Sequence, residues 1–152
     1  KDHFTERQYN GNVLKRIIND IFRHIENVYD ISNEQKICWV MEKDKILDAP
    51  QKKYKSKDGL HFLFPYIIAE KKTYRVLREK IIESDYSSYF TEEGLTPPSN
   101  SMSEIIDDNI YKGGNWFIYG SGKPNEIVYK LTKILKLSDD NLINMPLDLY
   151  LE

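Results

Sequence analysis

Apolar residues in the first third of the chain recur at steps of three and four. Val13, Leu14, Ile17, Ile18, Ile21, Phe22, Ile25, Val28 and Tyr29 form one stripe, and Lys15, Arg16, Asn19, Asp20 and Arg23 fall between them. This period predicts an amphipathic helix over residues 11–29, with Asn10 or Asn12 as its cap. The rhythm then changes. Residues 36–42 (Lys-Ile-Cys-Trp-Val-Met-Glu) are predicted as a buried strand. Residues 59–67 form the next strand, ending near Pro65, with Leu60, Phe62 and Phe64 on one face and His61 and Leu63 on the other. Residues 70–84 read as a second helix with Tyr74, Val76, Leu77, Ile81 and Ile82 on its apolar side. The stretch from Tyr86 to Asn100 is predicted as loop, broken by Gly94, Pro97 and Pro98. Residues 115–120 (Asn-Trp-Phe-Ile-Tyr-Gly) read as a strand between two glycine turns. Residues 127–137 alternate as a further strand, through Ile127, Tyr129 and Leu131, with a short helix as the alternative. The tail from Ser138 is polar and then apolar, and no internal repeat or low-complexity segment stands out.

The order helix, strand, strand, helix, further strands predicts an α/β (α+β) domain with a mostly antiparallel sheet rather than a doubly wound parallel one. A length of 152 residues suffices for one domain with a core, and 40% hydrophobic with 30% charged residues is a globular balance. The net charge of -2 does not suggest a globally basic nucleic-acid-binding surface, so any such contact is expected to be local. One cysteine, Cys38, excludes an intrachain disulfide and argues against structural zinc. No apolar run approaches membrane-spanning length, and the first residues do not read as a signal peptide, so no membrane partner is expected. A start without methionine is read as the sign of a piece of a longer chain.

Chemistry concentrates in two segments. The first is Lys57-Asp58-Gly59-Leu60-His61-Phe62-Leu63-Phe64-Pro65. A strand histidine beside a lysine can donate to a phosphate oxygen, although a histidine in a sheet is more often satisfied by backbone groups. The second runs from Asp107-Asp108 through Asn115-Trp116-Phe117-Ile118-Tyr119 to Gly120-Ser121-Gly122-Lys123-Pro124. Carboxylate oxygens suit Mg²⁺ or Mn²⁺, while paired aspartates by themselves are common in solvated turns. The Gly-Ser-Gly-Lys run is not a Walker loop, because Phe117 and Pro124 stand where that motif needs glycine and Ser/Thr. It reads either as a turn presenting N–H groups and a lysine to phosphate or as a plain hairpin turn. Lys52, Lys53, Lys55 and Lys57 suit a nucleic-acid backbone or a solvated loop. Lys71, Lys72, Arg75 and Arg78 read as a surface face, and Trp39 and Trp116 as core.

Together these segments resemble the archaeo-eukaryotic primase superfamily, and most of all the N-terminal primase modules of poxvirus-type primase–helicases from nucleocytoplasmic large DNA viruses. The likeness rests on Tyr54 to Pro65, on Ile106-Asp107 with Ile110-Tyr111, and most specifically on Asn115 to Pro124; Ile37 to Lys43 fits the strand that precedes the histidine signature. It spans roughly residues 7 to 136.

The resemblance implies an RRM-like core with both helices on one face of the sheet. It implies a DNA primase or primase-polymerase, a nucleotidyltransferase using Mg²⁺ or Mn²⁺, a DNA template and nucleoside triphosphates. Asp107, with Asp108 as the fallback, is the implied metal ligand. His61 is implied to contact the incoming phosphates, flanked by Lys57 and Gly59, with Ser121 and Lys123 completing the phosphate site and Asn115 positioning the nucleotide. Two departures stand out. No Asp-x-Asp or Asp-x-Glu pair precedes the first helix, so residues 1–152 are expected to be a partial domain, inactive by itself, whose first metal motif lies upstream. Phe117 stands where cellular relatives often carry arginine. A helicase domain in the parent chain and a setting in the infected cell's cytoplasm or the virion follow from the same resemblance. A non-catalytic nucleotide- or nucleic-acid-binding module with the primase fold is the alternative.

Overall fold

The computed structural model describes residues 4–48, 56–108, 118–124 and 126–150. The first helix, α1, runs Gly11–Glu26, and Asn10 is its cap: the side chain accepts from the backbone N–H groups of Asn12 and Val13. The helix stops short of the predicted end, and Val28 is exposed beyond it. Strand β1 (Ile37–Glu42) follows. Then come the short strands β2 (Leu47–Asp48) and β3 (Ser56–Lys57), and β4 (Leu60–Leu63). Helix α2 spans Lys71–Glu83. Two short helices, α3 (Ser87–Thr91) and α4 (Met102–Ile105), lead to the long strand β5 (Lys130–Ser138) and to β6 (Asn141–Met145).

The main sheet has the order β4-β1-β5-β6, and every pairing in it is antiparallel. β2 and β3 form a separate two-stranded ribbon. This is an open α/β arrangement of the RRM-like kind. Alternation along the strands divides the sheet into two faces. Cys38, Val40, Leu135 and Leu137 join Leu14, Ile18, Phe22 and Leu77 in one core, with Leu60, Phe62 and Phe64 packed against it, so α1 and α2 cover the same face. Ile37, Met41, Tyr129, Leu131 and Ile134 form a second cluster, which Trp39 and Leu63 join. The predicted division of the histidine strand, with Leu63 facing away from Leu60, Phe62 and Phe64, therefore holds.

A bulge adjusts this alternation. The β1/β5 register shifts between Val40 and Met41, so Val40 opposes Lys133 while Met41 opposes Leu131. Thr132 is the additional residue, and its hydroxyl donates to Val40 O and to the Glu42 carboxylate. Leu131 and Ile134 consequently serve the same cluster.

Two expectations need correction. Residues 86–100 are not all loop, because α3 forms there and buries Tyr86 and Phe90 against Val13. Of the apolar side expected for α2, Leu77 is buried, whereas Tyr74 and Val76 are exposed. Ile105 is the last residue of α4, two positions before Asp107. Trp116 and the first half of the strand expected at 115–120 lie outside the described residues; of the other half, Tyr119 and Gly120 form a turn.

Candidate nucleotide site

The histidine strand and the Gly-Ser-Gly-Lys turn meet at Tyr129. This residue precedes β5 and is 7% exposed. Its backbone holds the turn: Gly120 N donates to Tyr129 O at 2.8 Å, and Tyr129 N donates to Ser121 O at 3.0 Å. Gly120 has φ +75°, a left-handed conformation that glycine adopts without steric cost. The Tyr129 ring lies on the His61 imidazole, with centroids 3.9 Å apart and planes inclined by 16°. Its hydroxyl closes the third side, since a β-carbon built on Gly59 would lie 2.5 Å from it. Gly59 is thus required by close approach, whatever its backbone contributes to phosphate binding.

Charged groups gather around this hub. The Lys43 ammonium stands 5.2 Å from the Tyr129 ring centroid and 2.9 Å from Glu126 Oε2. Burial raises the Tyr129 pKa, and the negative charges of Glu126, Asp58 and Asp107 raise it further. Asp107, an exposed residue just after α4, is thus one of the charges felt at Tyr129. The Lys43 hydrogen bond lowers the Glu126 pKa, and the charges of Lys43, Lys123 and Lys57 act in the same direction. Contact with Tyr129 brings His61, Gly59 and Ser121 together, while the charge of Asp107 acts on Tyr129 and those of Lys57 and Lys123 act on Glu126. Ser121 already donates its hydroxyl to Ile118 O at 2.6 Å, leaving its oxygen lone pairs for other partners. Asp108 is half-buried beside Asp107. Asn115, Lys52, Lys53 and Lys55 lie outside the described residues.

A second network fixes the loop before the histidine. Arg7 reaches Asp58 through Nε at 3.0 Å and through Nη2 at 3.3 Å, Glu42 Oε1 through Nη1 at 2.7 Å, and Lys43 O through Nη2 at 2.5 Å. Tyr9 and Lys133 also donate to the Glu42 carboxylate, at 2.8 and 2.6 Å. Burial opposes ionisation of Glu42, but the hydrogen bonds from Lys133, Thr132 and Tyr9 outweigh it and lower the pKa. For Asp58 the balance is reversed: burial raises its pKa despite Arg7.

Sequence reasoning missed Tyr129, Lys43, Glu126, Arg7 and Glu42. Tyr129 reads as one more apolar position of an alternating strand, and Arg7 sits in a polar run with no periodicity. Arg78, read as surface, donates to Ile106 O at 3.0 and 2.8 Å and to Ser103 O at 3.0 Å, anchoring the segment that ends in Asp107.

A divalent ion needs several oxygen donors together. Asp107 is a donor of the right kind, but among the described residues no three His, Cys, Asp or Glu side chains group as a metal site. Among them, too, no helix is long and apolar enough to cross a membrane.

The open antiparallel sheet of the described residues, with both main helices on one face, is consistent with an RRM-like primase core. The chain belongs to the family of the C962R protein N-terminal AEP (archaeo-eukaryotic primase) domain, whose model matches residues 1–135. It is similar to "Putative helicase L207/L206" of Acanthamoeba polyphaga mimivirus, at 26% identity over 130 residues covering 85% of this chain and 13% of that protein. It is also similar to "Putative helicase 184R" of Invertebrate iridescent virus 6, at 28% identity over 133 residues covering 82% of this chain and 13% of that protein. The chain thus spans a small part of the length of these relatives. No solved structure matches it.

Proposed function

We propose that this chain is the primase or primase-polymerase domain of a viral DNA replication protein, joining nucleoside triphosphates on a DNA template. The observation that carries this reading is the convergence at Tyr129. The histidine strand and the Gly-Ser-Gly-Lys turn are distant in sequence, yet one residue ties both together. His61, Lys57 and Lys123 are assigned to the triphosphate, with Gly59 and Ser121 shaping its bed and Asn115 positioning the nucleotide. Lysine and histidine donors suit this task because charge-assisted hydrogen bonds to phosphate are short and strong. Asp107, with Asp108 as the fallback, is assigned as one ligand of Mg²⁺ or Mn²⁺. Metal dependence rests on family membership. The relatives' names support a helicase region in the same parent chain and action in the infected cell or virion.

The test is nucleotide incorporation on single-stranded DNA by the full-length protein. His61→Ala and Lys123→Ala abolish incorporation while leaving the thermal unfolding transition in place. Normal incorporation by both variants overturns the assignment. Triphosphate binding that depends on His61 and Lys123, in a wild-type protein that incorporates nothing, would instead identify a non-catalytic nucleotide-binding module on the primase fold.

A further inference from the structure

Lys43 is a charged residue in an unusual position. It directly follows β1, is 5% exposed, and shares its surroundings with Tyr129, which carries the His61 stack. An ammonium group withdrawn so far from water is unfavourable unless a countercharge meets it. Glu126 is that countercharge, at 2.9 Å. Glu126 is itself exposed, lies in no helix or strand, and sits in a short turn closed by its N–H donating to Lys123 O at 2.9 Å. A buried cation is therefore matched by a carboxylate carried on the surface, beside the lysine of the Gly-Ser-Gly-Lys turn. Lys43 makes the hydrogen bond to this carboxylate, and the charges of Lys123 and Lys57 lower its pKa in the same direction.

A carboxylate has two acceptor oxygens and one charge. A triphosphate has more of both, so it competes for the same donors. We propose that Lys43 is a third phosphate-contacting lysine beside Lys57 and Lys123, and that Glu126 occupies the phosphate position until a nucleoside triphosphate displaces it. This rests on the nucleotide-binding reading of the site. It adds a residue that binds substrate and an internal competitor that weakens binding of anything less charged than a triphosphate.

The experiment is equilibrium binding of a non-hydrolysable nucleoside triphosphate, and of inorganic tripolyphosphate, to the full-length protein with Mg²⁺ present. Glu126→Gln removes the competitor and tightens both ligands by about two- to fivefold, the range expected for releasing one partly exposed ion pair. The gain disappears when Lys43→Gln is combined with it. A second readout needs no Lys43 variant: tripolyphosphate raises the unfolding temperature more in Glu126→Gln than in wild type, because the buried ammonium then lacks its countercharge. Unchanged or weaker binding in Glu126→Gln, or an equal gain in the Lys43→Gln background, overturns the proposal. If His61→Ala and Lys123→Ala still lose binding in that case, the nucleotide site stands and only Lys43 and Glu126 leave it. Failure of the wild-type protein to bind triphosphate overturns both.

Discussion

The Tyr129 ring stacks face to face on the His61 imidazole, at 3.9 Å between centroids. His61 lies on β4, which among the described residues is the outermost strand of the main sheet. The flat aromatic surface restricts the rotamers open to its side chain. Because the Tyr129 backbone also grips Gly120 and Ser121, one residue sets the distance between the two halves of the proposed phosphate site.

Replacing the ring therefore loosens the histidine without removing it. Tyr129→Ala is expected to lower nucleotide incorporation by about tenfold or more, as misplacement of a positioned group does. Tyr129→Phe keeps the stack and retains most of the activity. Steady-state incorporation assays on both variants check this, and equal losses in the two would show that the hydroxyl, not the stack, matters.

Gly59 gives a steric version of the same test. A methyl group at this position meets the Tyr129 hydroxyl at 2.5 Å and ring carbons at 3.1 and 3.2 Å. Gly59→Ala should destabilise the fold by about 1–3 kcal/mol, the usual cost of overpacking. Adding Tyr129→Phe removes the closest atom and should restore part of that loss, measured by urea denaturation. No restoration would mean that the backbone at Gly59, rather than the hydroxyl, resists the side chain.

Glu42 makes stability depend on acid. Its carboxylate is 2% exposed and is met by Arg7, Tyr9, Thr132 and Lys133. Its folded pKa lies below the ordinary 4.5, so its contribution is complete above that value and is lost as pH falls through the folded pKa. Asp58 works in the opposite sense: its pKa is raised above 3.8, so its contribution is complete below that value and is lost as pH rises through the folded pKa. Glu42→Ala should cost about 3 kcal/mol at neutral pH, since it removes the buried acceptor that Arg7, Lys133, Tyr9 and Thr132 share. It should also flatten the acid limb of the stability profile below pH 4.5, whereas Asp58→Asn should steepen it. Urea midpoints across pH test both slopes.

Much of this fold is legible from local patterns, and most of the connections are not. Helix α1 is plain because its apolar residues keep the helical period and Asn10 supplies the cap. The strand Lys130–Ser138 is ambiguous in sequence because the Thr132 bulge breaks the two-residue period, which is why a short helix competes with it. Helix α3 is hidden because its five residues are too few to show a period, and Gly94, Pro97 and Pro98 nearby signal loop. His61 and Lys123 are visible as motif members. Tyr129, Arg7 and Lys43 are not, because their roles arise from pairings across the sheet that no local spacing encodes.

Arg78 joins the second helix to the aspartate. Its guanidinium donates to the carbonyls of Ile106 and Ser103, so Asp107 follows directly from a clamped backbone. Arg78→Met leaves these carbonyls without that partner and should cost about 1–2 kcal/mol of stability. The functional effect should be selective. His61, Lys57 and Lys123 are held by other elements, so KM for the triphosphate should change little while kcat falls as Asp107 loses its position. Arg78→Lys should recover only part of kcat, because an ammonium lacks the planar fork that spans two carbonyls. Steady-state kinetics of both variants, corrected for the folded fraction, separate this from simple destabilisation. A loss that follows the folded fraction alone, with kcat per folded molecule unchanged, would make Arg78 a structural clamp with no bearing on Asp107.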